Sequence, residues 1–119
     1  MTKNDFAKFL RGFFTEYLSA ERGVSSNTLR SYGTAFASYL DFMRVKREVD
    51  AEKLTLEHMG RKNVLDYLDW LQTDKSSSVS TRNQRLAAIH AFCRYMQYED
   101  VTRLYQWQEI LGVKMKKAI

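Results

Sequence analysis

The chain has no proline in its 119 residues and only five glycines. Those two residues supply most of the tight turns of sandwiches and barrels, so their scarcity favours long, uninterrupted helices. The five glycines are also too scattered for a phosphate-cradling loop: Gly12, Gly33 and Gly60 lie in or beside helical patterns. Cys93 is the single cysteine, which rules out an internal disulfide and fits a reducing, cytoplasmic setting. No apolar run approaches the roughly 20 residues of a membrane span. The opening "MTKNDFAKFLRGFF" holds no signal-peptide core, so we expect no membrane partner. The most informative absence is acid. From Lys75 to Tyr98 the chain carries four Lys or Arg and no Asp or Glu, although it holds 19 basic and 14 acidic residues in all.

What is present is helical periodicity. Phe6, Phe9, Leu10, Phe13, Tyr17 and Leu18 recur at three- and four-residue spacing, predicting a first helix over Asp5 to Arg22 that ends at Gly23. A second helix follows Ser and Asn capping candidates and places Leu29, Tyr32, Phe36, Leu40 and Met43 on one stripe. The charged run "RVKREVDAEK" reads as a polar connection, after which Thr55 can cap a short turn over Leu56 and Met59. The third helix turns Val64, Leu65, Leu68 and Leu71 inward, with Tyr67 or Trp70 on its flank. The fourth begins near Ser80, which can cap it, and buries Leu86, Ile89, Phe92, Cys93 and Met96. A short fifth runs from about Arg103 to Leu111 and stops at Gly112. The expected fold is all-α: an orthogonal bundle of four main helices plus a short fifth. Residues 1–112 form the domain and 113–119 the start of a linker.

Catalysis finds little support in these residues. His90 and Cys93 stand three apart on one helix, but Cys93 falls inside the apolar stripe and no third group orients the pair. His58, His90 and Cys93 do not make a four-ligand zinc set, so neither a metal nor another cofactor is expected. Asp66 and Asp69 form the kind of carboxylate pair that usually belongs to a solvated helix face. The seven tyrosines and seven phenylalanines fall mostly on inward stripes, which suits core packing better than base stacking. The fourth helix differs. Asn83, Ala87, His90, Arg94 and Gln97 project away from its apolar stripe and Arg82 sits at its first turn. Such side chains donate to phosphates and base edges, and small Ala87 permits close approach in a major groove.

The order of residues also resembles a known family. "GVSSNTLRSYGTAFASYLDFM", Gly23 to Met43, is similar to the rG(l/v)S.nT...Y...l..F.. signature of the core-binding domain of tyrosine recombinases, the phage integrase family. "STRNQRLAAIHAFCRYM", Ser80 to Met96, resembles that family's S-T-x-N-x-R-L-x-A-L-R-x-F-[YF]-x-Y-L helix. His90 departs from the family's usual Arg, Cys93 from its Tyr or Phe, and the proline often found after this helix is replaced by "EDVTRLYQW". The resemblance implies a SAM-like domain that clamps double-stranded DNA at a recombination half-site, laying its second and fourth helices across the major groove. Chemistry would belong to a following catalytic domain with Arg, Lys, His and a nucleophilic Tyr, for which 119 residues leave no room. No residue here is therefore expected to be catalytic.

Carried onto this sequence, the contact residues implied are Asn27, Arg30, Ser31 and Thr34 on the second helix. On the fourth they are Ser80, Thr81, Arg82, Asn83, Ala87, His90 and Arg94, with Lys114, Lys116 and Lys117 following the backbone. Arg82, Arg94 and the lysines would hold phosphates, and Asn83 and His90 would read bases. Expected partners are double-stranded DNA, the protein's own catalytic domain and other recombinase protomers on DNA. The competing expectation is a helical protein-interaction module without DNA contact. A free-standing helix-turn-helix repressor is disfavoured by the long charged connection before the third helix.

Overall fold

The computed structural model describes residues 5–117. They are all-α, with no strand among them, and the chain divides into two compact units, residues 1–58 and 59–119.

In the first unit, α1 (Asp5–Gly12) runs into a π-helical segment, Phe13–Glu21. One α-helix was expected over this span. The wider π repeat puts Phe13 and Leu18, five apart and both fully buried, on the same side. Thr15 Oγ1 donates to the Arg11 carbonyl at 2.8 Å, a back-bond of the kind that bends helices. Phe13 stacks with Tyr32 at 6.3 Å and meets Phe36 edge-on at 6.2 Å, geometries that suit the ring quadrupole. Gly23 ends the segment in the left-handed region with φ of 59°, a conformation glycine adopts at no steric cost.

α2 (Ser26–Arg47) is capped by Ser25, whose Oγ accepts from Thr28 N at 3.1 Å. It buries Ala35, Phe36, Tyr39, Phe42 and Met43, while Leu29, Tyr32 and Leu40 lie half-buried. The helix runs through part of the charged run read as connection. Arg44, Lys46 and Arg47 sit where cations favour a helix C-terminus, and Arg47 lies over the Phe42 ring at 5.1 Å. Two single-turn 3-10 segments follow, Ala51–Lys53 and Leu56–His58. At the second of these, His58 Nδ1 accepts from Thr55 N at 2.9 Å, the return bond of a capping box. Asp5 Oδ1 accepts from Leu56 N at 3.0 Å and Tyr39 Oη donates to the His58 carbonyl at 2.8 Å, closing the unit.

The second unit contains α3 (Arg61–Thr73), α4 (Val79–Glu99), a 3-10 turn (Val101–Arg103) and α5 (Leu104–Leu111). α3 buries Val64, Tyr67, Leu68, Trp70 and Leu71, and Leu65 is 40% exposed. The inward face is thus rotated from the expected one, because burying two large aromatics removes more apolar surface from water than burying one leucine. α4 buries the five residues expected of it and also Ala88, Ala91, Tyr95 and Arg82. Its cap is Ser78, whose Oγ accepts from Thr81 N at 3.0 Å, two residues before the expected Ser80. Ser25 and Ser78 cap alike, each Oγ also donating to the hydroxyl of a threonine three residues on, at 3.1 and 3.3 Å.

Two stability predictions follow from this packing. Leu86→Ala removes a fully buried side chain and should cost about 2–5 kcal/mol in denaturant unfolding. Ser78→Ala should cost about 1 kcal/mol and Ser80→Ala close to nothing; the reverse order would place the cap at Ser80.

Candidate nucleic-acid interface

On α2, Asn27, Arg30, Ser31 and Thr34 are all exposed and recur at three- and four-residue spacing along one face. Arg30 Nη1 donates to Asn27 Oδ1 at 2.8 Å, and Thr34 Oγ1 donates to the Arg30 carbonyl at 3.0 Å. The face therefore presents a guanidinium already oriented by its neighbour.

On α4 the predicted residues separate into two groups. Ser80 and Arg94 are exposed and Thr81 and Ala87 half-buried. Arg82, read as lying at an exposed first turn, is only 6% exposed. Its Nη1 donates to Asn83 Oδ1 and to the Lys114 carbonyl, both at 2.9 Å, and its Nε has no hydrogen-bond partner. Asn83 is engaged with the backbone of Lys116: Nδ2 donates to its carbonyl at 2.8 Å and Oδ1 accepts from its amide at 3.0 Å. His90 Nε2 lies 3.0 Å from the Ile110 carbonyl. A carbonyl only accepts, so Nε2 carries the proton.

The physical reason is the return of α5. Trp107 and Ile110 are fully buried, and the Trp107 ring meets Phe92 edge-on at 6.1 Å. Trp107 Nε1 donates to the Asp100 carbonyl at 3.3 Å. The flank of α4 that bears Arg82, Asn83 and His90 is thereby occupied by the chain's own C-terminal segment. What stays open is a stripe rotated from the expected one: Ser80, Gln84, Ala87, Arg94 and Tyr98, at three-, four- and seven-residue spacing and without an acid. Gln84 and Tyr98 were missed. The signal for them was the fifth helix, whose apolar residues, four residues after the end of α4, need a neighbour to pack against.

Lys114, Lys116 and Lys117 are exposed, Lys116 Nζ donating to Gln72 Oε1 at 2.9 Å. Burial pushes the Cys93 thiol well above its usual range, so it stays protonated. Among the described residues no cluster of His, Cys, Asp or Glu could hold a metal ion, and no helix is long and apolar enough to cross a membrane.

Residues 13–100 match the profile described as phage integrase, N-terminal SAM-like domain. The chain belongs to that family. It is 32% identical to y4rC of Sinorhizobium fredii, an integrase/recombinase by name, over 98% of this chain and 36% of that protein. It is 30% identical to the tyrosine recombinase XerD of Oceanobacillus iheyensis over 75% of this chain and 28% of the relative. It is 31% identical to the tyrosine recombinase XerC of Herpetosiphon aurantiacus over 71% and 26%. The chain thus spans between about a quarter and just over a third of the length of these relatives, and the region y4rC shares with it contains the N-terminal SAM-like domain. No solved structure matches it. The resemblance read from the two motifs, and the all-α class, are those of the family.

Burial holds the His90 pKa below the ordinary 6.5; its hydrogen bond to Ile110 pulls the other way, and Arg94 and Arg82 add to the lowering. A group that is harder to protonate folded than unfolded leaves the unfolded state binding more protons below that value. Stability should therefore fall as pH drops below about 6.5. In thermal melts across that range, His90→Gln should flatten the part of the decline due to this residue; an unchanged pH profile would contradict it.

Proposed function

We propose that this chain binds double-stranded DNA as the N-terminal module of a site-specific tyrosine recombinase, gripping a recombination half-site while a separate catalytic domain carries out strand exchange. The observation that carries this reading is the acid-free stripe of α4, exposed Ser80, Gln84 and Arg94 with half-buried Ala87, in a domain of the integrase family. Arg94 and the lysines contact phosphates, and Ser80, Thr81, Gln84 and Ala87 lie against the groove. Asn27, Arg30, Ser31 and Thr34 on α2 form a second contact surface, with Arg30 on a phosphate. Residues 1–112 serve as the binding module and 113–119 as the start of the connector, acting in the cytoplasm.

A protein-interaction role is favoured by a different observation. Tyr98, Val101, Leu104 and Tyr105, at the turn from α4 into α5, are 84%, 66%, 37% and 75% exposed. Large exposed apolar groups close together in the chain are typical of protein contacts, and recombinase protomers on DNA are the fitting partner.

Salt dependence separates the two. If Arg30, Arg94, Lys114, Lys116 and Lys117 each neutralise one phosphate, fluorescence anisotropy of a labelled duplex should give a log–log salt slope of about −4.5, at about −0.9 per contact. Arg94→Ala should flatten it by about 0.9. No binding even at about 50 mM salt would move the protein-interaction reading to first place.

A further inference from the structure

Residues 113–117 carry no regular secondary structure, yet their backbone is held at both ends. Val113 is 4% exposed. Beyond it, Arg82 takes the Lys114 carbonyl, and the Asn83 amide takes both the N–H and the carbonyl of Lys116. That two-point pairing is what a neighbouring strand would offer, supplied here by one side chain of α4. Arg82 Nη1 also donates to Asn83 Oδ1, fixing the orientation of the amide that makes the pairing. The side chains of Lys114, Met115, Lys116 and Lys117 remain exposed.

Reading adenine takes the Oδ1 and Nδ2 of an asparagine together. Both atoms of Asn83 are committed to Lys116. Arg82, buried and bonded to Lys114, is no better placed to meet a phosphate.

We infer that Arg82 and Asn83 are positioning residues: they strap the C-terminal segment along the first turns of α4, so that Lys114, Lys116 and Lys117 are presented to DNA as an ordered cationic edge beside Ser80 and Gln84. The inference rests on the DNA-binding reading above and deepens it. The two residues contribute to binding through the lysines, without touching the duplex. A free lysine tail would supply the same charge, but ordering it would cost conformational entropy at the moment of binding.

Two measurements test this on the 119-residue chain. The first needs no DNA. By amide hydrogen exchange, Lys116 N–H should be protected, and Asn83→Ala should reduce that protection by up to about tenfold, the scale of one hydrogen bond. The Phe92 and Trp107 amides, unchanged, report that the fold is intact. The second is a cycle in duplex binding, with Lys114→Ala and Lys117→Ala introduced together, in the presence and absence of Asn83→Ala. The lysine pair should cost clearly less affinity once Asn83 is gone, and Asn83→Ala should leave sequence preference unchanged while weakening all duplexes.

An unprotected Lys116 amide overturns the strap, whatever happens with DNA. Additive losses, or a change in base preference on Asn83→Ala, overturn the positioning role and return Asn83 to direct contact. A protected Lys116 in a chain that binds no duplex overturns the DNA-binding reading and the strap's presenting role with it.

Discussion

The packing of Trp107 against Phe92 is the contact on which the second unit depends. It is fully buried on both sides, edge to face, and tied by the indole N–H to the Asp100 carbonyl. Because only a 3-10 turn separates α4 from α5, burying this indole forces the chain to reverse onto α4. Gly112 then ends α5, its amide reaching the carbonyls of Gln108 and Glu109. From there the last described residues run back to Arg82 and Asn83. The position of every basic residue after Gly112 follows from that reversal.

The reversal also changes what an acid-free helix means. Four cations without a carboxylate between Lys75 and Tyr98 suggest a uniformly electropositive surface, yet they have different fates. Lys75 lies over the Trp70 ring at 5.1 Å, Arg82 is buried, Arg85 is half-buried with an unpartnered Nε, and Arg94 is exposed. A guanidinium can be buried without a carboxylate where carbonyl and amide oxygens take its protons, though desolvation still depresses its pKa. Of the three arginines on α4, Arg82 is engaged internally by a carbonyl and an amide oxygen, and only Arg94 is exposed.

Most of the fold was legible in the sequence because apolar spacing determines which helix face can be buried. Five helices, the Gly23 and Gly112 stops and the α4 core residues Leu86, Ile89, Phe92, Cys93 and Met96 were all there to be read. What was not legible depended on neighbours. The π register after Gly12 and the rotation of α3 that buries Tyr67 and Trp70 are tertiary choices that a single helical wheel does not encode. Ser80 was read as the cap of α4 because it is a serine ahead of an apolar run, but Ser78 is another, and the bond to Thr81 N makes Ser78 the cap. Around the candidate site, Asn27, Arg30, Ser31 and Thr34 are exposed along one face of α2, as their spacing implied. On α4 the exposed edge was placed one flank away, because the sequence gives the buried stripe but not the side from which α5 and the strap cover the helix.

The most direct test of this account is to titrate the isotope-labelled chain with a short duplex at low salt and follow backbone and indole resonances by NMR. The amides of Ser80, Gln84, Ala87, Arg94 and residues 114–117 should shift together, with the Trp107 indole unmoved. Shifts confined to Tyr98–Tyr105, or none at all, would contradict it.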